Sequence, residues 1–205
     1  LASAAAAVAA GGMLSPALAI AHDAIRLGHP DAVVDLLSEF ATQAPGTLAA
    51  RFRDHAVAAV SGDDRSLIVI ARDFEHRGMG ALGAEIRLGL ARSLQTSDPA
   101  RSRWLVAEAT AGFHDAGVEP SPLLDPERTI TSGSQRPALT ARQLDIARLA
   151  GRRLRSKEIA EQLGISSRTV DNLLGQVYRA LGISSREELT TVLDVGHASD
   201  APTRE

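Results

Sequence analysis

At 205 residues the chain is long enough for one large or two small domains, each with a core of its own. It contains no cysteine, which excludes a disulfide framework, a thiolate metal site and a cysteine nucleophile. The formal charge of −3 is unevenly spread: residues 136–193 hold ten basic against six acidic side chains, a net of +4 that leaves −7 for the rest. A compact basic segment beside an acidic body is the distribution expected of a reader of polyanions with a regulatory part.

The chain opens LASAAAAVAAGGM, with no basic residue ahead of its apolar run, and His22, Asp23 and Arg26 soon interrupt the apolar pattern. Neither a secretory signal nor a membrane span is expected, and a cytoplasmic location is. The Ala-rich run closed by Gly11 and Gly12 reads instead as the last helix of a preceding hairpin. On this reading the chain begins inside a longer protein.

From Ser15 to Gly117 apolar residues recur three or four apart, as in Val33, Leu36, Leu37 and Phe40. Turn signals at Gly28-His29-Pro30, Ala44-Pro45-Gly46, Ser61-Gly62-Asp63, Arg77-Gly78 and Ser97-Asp98-Pro99 divide the pattern. Six helices are predicted: Pro16 to Leu27, Asp31 to Gln43, Thr47 to Val60, Asp64 to His76, Met79 to Leu94 and Pro99 to Asp115. A shift of 34 residues places Phe74 on Phe40 and Gly62 on Gly28. That is the period of tetratricopeptide-like helix pairs, although their usual Trp, Leu-Gly and Tyr positions are missing. Stacked hairpins of this kind form a solenoid that binds a partner or relays a state.

Nothing in this part reads as catalytic. His22, His29, His55, His76 and His114 show neither an i, i+4 pair nor an HExxH sequence, so exposed or singly hydrogen-bonded histidines are expected and no metal site. Trp104 and the four phenylalanines sit at helical spacing and read as core. Asp63, Asp64 and Asp73 read as helix starts and solvated faces. The chain's one lysine, Lys157, follows Ser156, so there is no GxxxxGK[ST] phosphate loop and no plausible Schiff-base lysine. The expectation is therefore no enzyme and no cofactor in this chain.

Between Val118 and Ala138, Pro120, Pro122, Pro126 and Pro137 with Gly133 forbid a continuous helix and favour an extended tether. The domain boundary is placed here. Residues 1–117 form a helical-repeat regulatory domain, 118–137 a Pro-rich linker, 138–195 a second domain and 196–205 a flexible tail. Leu123 and Leu124 are the linker's only apolar pair for docking on either domain.

The second domain begins with Thr140 and Gln143, which have the spacing of a capping box and start a helix near Ala141, buried through Ile146, Leu149 and Ala150. Ser156 to Gly175 then has the residue order of a helix-turn-helix. Ala160 is small where two helices cross, and Gly164 stands where the chain leaves the first helix in a left-handed conformation. Ile159, Leu163, Ile165, Val170 and Leu173 form the apolar seam that sets the second helix steeply across the first. Ser156 is expected to cap the scaffold helix and Ser166 the recognition helix. Ser184 or Ser185, with Glu187 or Glu188, is expected to cap a fourth helix.

With Val170, Leu173, Val177 and Leu181 inward, the recognition helix presents Ser167, Arg168, Asp171, Asn172, Gly175, Gln176 and Arg179 outward. Arg168 suits guanine, Asn172 adenine and Asp171 the cytosine amino group, each worth about 1–3 kcal/mol of discrimination. Thr169, Gln176 and Lys157 suit phosphates. The DNA-contact set is thus Lys157, Ser166, Ser167, Arg168, Thr169, Asp171, Asn172, Gln176 and Arg179, with Arg152, Arg153 and Arg155 a basic run just ahead of the scaffold helix.

The segments LTARQ, SKEIAEQLGIS, RTVDN and VYRALGISSREEL, in that order and without gaps, resemble the C-terminal DNA-binding domain of LuxR-type transcriptional regulators. A sigma factor shares an EIAEQLGIS-type core, but the continuation LGISSREEL is that of the LuxR-type fourth helix. The resemblance implies an all-α chain, helical-hairpin repeats followed by a four-helix reader of double-stranded DNA, in the C-terminal part of a large ATP-dependent member of this bacterial family. It also implies a homodimer through the fourth helix, Ser185 to Leu193, with Glu188, Leu189 and Val192 at the contact, on half-sites about one helical turn apart. A protein or small-molecule effector is expected on the repeats. The family commonly has Gly where Arg153 stands, Asn at Ser156, Lys at Asp171 and His at Leu173. Two other readings stay open on the sequence: a protein-interaction scaffold whose helix-turn-helix no longer reads DNA, and a fragment of a signalling ATPase.

Overall fold

The computed structural model describes residues 1–43, 46–119 and 139–193, and among these it contains eleven α-helices and no strand. The chain is all-α, with helical hairpins followed by a four-helix helix-turn-helix domain. Two compact units divide between Arg77 and Gly78. Parts of the expected organisation lie outside the described residues: the turn at Ala44-Pro45, nearly all of the 118–137 linker with Leu123 and Leu124, and the 196–205 tail.

The first unit contains α1 (Ala2–Ala10), α2 (Leu14–Arg26), α3 (Val34–Gln43), α4 (Thr47–Ser61) and α5 (Asp64–His76). The Ala-rich opening is a helix, α2 packs on it, and α2 buries Ala17, Leu18, Ala21 and Ile25. Helix α4 packs against α2, α3 and α5, so each added helix buries the apolar stripe of the one before it. Asp63 caps α5 by accepting from the Ser66 amide at 3.1 Å and the Ser66 hydroxyl at 2.6 Å. Helix α3 starts three residues after the predicted Asp31, because the Val33 amide donates to Pro30 O at 3.2 Å in a turn of its own. Asp73 is more than a solvated face. It accepts from Arg51 of α4 at 2.9 Å and Arg77 at 2.8 Å, and the Arg77 bond holds its carboxyl below the ordinary range.

Of the two states expected for the histidines, exposed or singly hydrogen-bonded, His22 and His55 take the second, and they do so in the core. They are only 4% and 7% exposed, and His22 Nε2 lies 3.1 Å from His55 Nδ1, so one ring donates and the other accepts. His22 also stacks on Phe52, with ring centroids 3.8 Å apart at 13°, and Phe74 closes the cluster from α5. Two residues 33 positions apart share no sequence motif; only the packing of α2 on α4 brings them together. Burial, then the neighbouring His55 and Arg26, lowers His22 to about 3, and burial lowers His55 to about 4. Both rings are therefore neutral at pH 7.

The second unit begins with the hairpin of α6 (Gly80–Leu94) and α7 (Pro99–Asp115), and continues with α8 (Ala141–Gly151), α9 (Ser156–Leu163), α10 (Ser167–Leu181) and α11 (Arg186–Leu193). Asp98 caps α7 through the Arg101 amide at 3.0 Å, with Pro99 at the first helical position where its missing N–H costs nothing. The α6–α7 contact is close: an added Cβ at Gly112 would stand 3.3 Å from Ala84 Cβ. Ser102 fastens the pair by donating to Ala91 O at 2.7 Å.

Helix α7 is apolar on two sides and satisfies both. Leu105, Ala109 and Phe113 are buried on one side, while Trp104 and Ala107, flanked by Ala100 and Ala111, join the core formed by Leu144, Ile146, Ile159, Val177, Leu181 and Leu189. Arg148 of α8 grips Glu108 with two bonds, Nε–Oε1 at 2.9 Å and Nη2–Oε2 at 3.3 Å. Burial opposes the Arg148 charge, but Glu108 together with Asp145 and Asp115 outweighs it and holds the guanidinium above its ordinary value. Arg103 donates to Leu181 O, a carbonyl that the end of α10 leaves without a helical partner. The α6–α7 hairpin thus belongs with the four reader helices, so the compact units divide well before the boundary drawn at residue 117.

Candidate nucleic-acid interface

The reader helices are held by caps at every start. Thr140 Oγ1 accepts from the Gln143 amide at 3.3 Å and Gln143 Oε1 from the Thr140 amide at 2.9 Å, the predicted reciprocal box. Ser166 accepts from the Thr169 amide at 3.1 Å and starts α10 as expected. The scaffold helix corrects one assignment: Ser156 is its first helical residue, and Glu158 reaches back to accept from the Arg155 amide at 2.6 Å. At the fourth helix, Ser185 Oγ accepts from the Glu188 amide at 3.1 Å, and Glu188 accepts from the Ser184 amide at 2.9 Å.

Between α9 and α10, Gly164 has φ +65°, the left-handed value that ends α9 and reverses the chain. The Ile165 amide donates to Ala160 O at 3.0 Å, and Arg142 of α8 donates to Leu163 O at 3.0 Å, so the turn is tied both to its own helix and to its neighbour. Ile159 and Ala160 are buried beneath it. The inward face of α10 is Val170, Leu174, Val177 and Leu181. Leu174 replaces the expected Leu173, which is only half-buried. The physical reason is helical phase: positions 170, 174, 177 and 181 follow the four-three-four spacing of a single stripe.

This anchoring leaves the opposite side of α10 in solvent. Lys157, Ser166, Ser167, Arg168, Thr169, Asp171, Asn172, Gln176 and Arg179 are all exposed. Arg168, Asn172, Gln176 and Arg179 follow one another at intervals of four, four and three and share one face of α10, with Asp171 three residues after Arg168 beside them, while Lys157 stands on the first turn of α9. Two of them have partners that the sequence did not announce. Gln176 Oε1 accepts from Gln143 Nε2 at 2.8 Å, which ties the middle of α10 to the start of α8, and Arg179 Nε lies 3.4 Å from Gly175 O. An added Cβ at Gly175 would meet nothing within 4 Å, so the face dips there.

The expected pairing residues are placed differently. Leu189 and Val192 are 0% and 8% exposed and belong to the unit's own core, and the Glu188 carboxylate caps its own helix. Their apolar stripe is turned inward because α11 is short and must bury its one apolar face against α8 and α7. The outward residues of α11 are Glu187, Glu188 and Thr191.

The α8–α9 connection shows a further feature. Arg152 ends α8, the Arg153 amide donates to Ala150 O at 3.0 Å and the Leu154 amide to Leu149 O at 3.3 Å, a Schellman closure. Its left-handed position is Arg153, with φ +64°, the only non-glycine residue with positive φ among the described residues. The structure thus accounts for the glycine that the resemblance places here, and this chain holds a cation in its stead.

Among the described residues, no three His, Cys, Asp or Glu side chains gather as a metal site, and no helix is long and apolar enough to cross a membrane. Residues 137–193 match the family described as bacterial regulatory proteins, luxR family. Comparison with curated proteins and with solved structures gives no match. The match coincides with α8 to α11 and their scaffolded, solvent-facing helix. Residues 137–193 are therefore a LuxR-family helix-turn-helix domain, which supports a DNA-binding transcription regulator in general.

Proposed function

We propose that the chain reads duplex DNA sequence-specifically through α10 in the major groove, and that the helical hairpins relay an effector or partner signal to that reader. The observation that carries the reading is the division of α10 into a buried stripe and an exposed face. Arg168 and Asn172 stand on that face one turn apart, with no side-chain partner among the described residues. Arg168 pairs with guanine O6 and N7 and Asn172 with adenine N6 and N7, while Asp171 accepts from a cytosine amino group. Ser167, Thr169 and Lys157 take phosphates. Gln176 has to leave Gln143 to join them, so it ranks below Lys157. A two-fold site would require pairing through the outer side of α11, at Glu187 and Thr191, because Leu189 and Val192 are internal.

Selection from a pool of random duplexes tests this. The full chain should enrich one motif, and Arg168→Ala and Asn172→Ala should each relax a single base position by about 1–3 kcal/mol, roughly five- to 150-fold. If the chain enriches no motif and both variants behave like the parent, direct readout by α10 is wrong. The hairpins and their protein partners are then the active surface.

A further inference from the structure

Helix α7 lies outside the matched domain, yet its side chains fix helices that lie within it. Its apolar stripe of Ala100, Trp104, Ala107 and Ala111 packs on the reader's core, and helical phase places Arg103 and Glu108 at opposite edges of that stripe. At one edge Glu108 takes the fork of Arg148 from α8. At the other, Arg103 donates to Leu181 O, the last carbonyl of α10, 78 positions further along the chain. One helix thus ties the end of the recognition helix to the helix that opens the reader.

The tie falls where α10 cannot satisfy itself, since the last carbonyls of a helix have no partner within it. Gly182, with φ +74°, closes α10, and its amide and that of Ile183 both donate to Tyr178 O, at 2.8 and 3.0 Å. Leu181 O takes the Arg103 guanidinium. A cation at this place also meets the negative end of the helix dipole. Trp104, the neighbour of Arg103, shares the core with Val177 and Leu181, so α7 holds the end of α10 both by a bond and by packing.

We infer that Arg103 is a positioning residue for base reading, one that sets the tilt of α10 from outside the matched domain. The inference rests on the DNA-reading function proposed above. From Leu181 back to Arg168 the helix rises about 20 Å, so a tilt of about 3° at its end moves Arg168 by about 1 Å. That displacement takes a hydrogen bond of about 2.9 Å out of range, and a bidentate pair with guanine needs two such bonds at once. Attraction to phosphates is far less directional, so a tilted α10 still binds duplexes in general and loses its preference for one sequence. The α6–α7 hairpin is then the last link of the relay, because whatever displaces α7 changes base preference through Arg103.

The test compares the full chain with Arg103→Met, Arg103→Lys and Ile86→Val on the enriched duplex and on a duplex of unrelated sequence, well below the melting temperature of each protein. Methionine keeps an apolar stem and removes the donor and the charge. Ile86 is buried in α6 outside the reader's core, and losing one methyl there costs stability of the same order as losing one hydrogen bond. Arg103→Met should bind the enriched duplex about tenfold more weakly, a partial loss of the five- to 150-fold carried by each base contact, and bind the unrelated duplex like the parent. Its salt slope should match the parent's, because no phosphate contact is removed. Arg103→Lys, which keeps a cation and a donor for the carbonyl, should recover most of the preference, and Ile86→Val should bind both duplexes like the parent. An Arg103→Met chain that keeps the parent's ratio between the two duplexes overturns the inference and leaves base reading by α10 intact. So does a shallower salt slope, which would make Arg103 a phosphate ligand, an equal loss in Ile86→Val, which would make the effect one of stability, or no recovery in Arg103→Lys. A parent that prefers no duplex overturns this inference and the DNA-reading function together.

Discussion

Acidification should unfold the first unit through one pair of side chains. His22 and His55 are buried as neutral rings, at about 3 and about 4 against an ordinary value of 6.5. Once unfolded, both bind protons as pH falls through 6.5, whereas the native rings take none until near pH 4. The unfolded state then binds more protons, so stability is complete above about pH 7.5 and declines as pH falls through the unfolded value. At pH 5 each ring contributes a loss of about 2 kcal/mol, about 4 kcal/mol for the pair, a large share of a typical domain's stability. Urea unfolding followed by far-UV circular dichroism between pH 8 and pH 5 measures this, above the range where most carboxylates titrate. His22→Phe/His55→Leu should flatten the dependence, whatever its own stability at pH 8. A parent that loses under about 1 kcal/mol, or a double variant that keeps the parent's slope, refutes the reasoning.

The docking of α7 predicts that Trp104→Ala costs about 3–5 kcal/mol in denaturant unfolding, because a large ring leaves a cavity in the reader's core. Trp104 is the chain's one tryptophan, so its emission should shift to the red in the same transition that melts the reader helices; an earlier separate shift would show that α7 is not part of that core. Ser166→Ala should lower the reader's stability by about 1 kcal/mol through loss of the α10 cap, measured by thermal or chemical unfolding. Gly164→Ala should cost about 1–2 kcal/mol, since any Cβ at φ +65° is strained even though the space around it is open.

Legible in the sequence was whatever short segments decide for themselves. The caps at Asp63, Asp98, Thr140 and Ser166 are each set by an oxygen and an amide three residues apart, so the residue order is enough to place them. The exposed set on α10 follows from helical phase, and the error between Leu173 and Leu174 is one step in that phase, recoverable by counting on from Val170 to Val177 and Leu181. The features that were not legible join residues far apart in the chain. Gln143 meets Gln176 across 33 positions, His22 meets His55 across the same interval, and Arg148 meets Glu108 across 40. No local spacing encodes such pairs, because each depends on which helix faces which. Helix α7 lies between the two cases. Its second apolar side, at Ala100, Trp104, Ala107 and Ala111, is written in the sequence at helical spacing and demands a second partner, since one neighbour cannot cover both sides of a helix. The sequence does not say which partner, and the proline-rich stretch after α7 suggests a reader that stands apart. The same second side turns Leu189 and Val192 from expected pairing residues into core, so the placement of one hairpin decides what surface the fourth helix has left to offer.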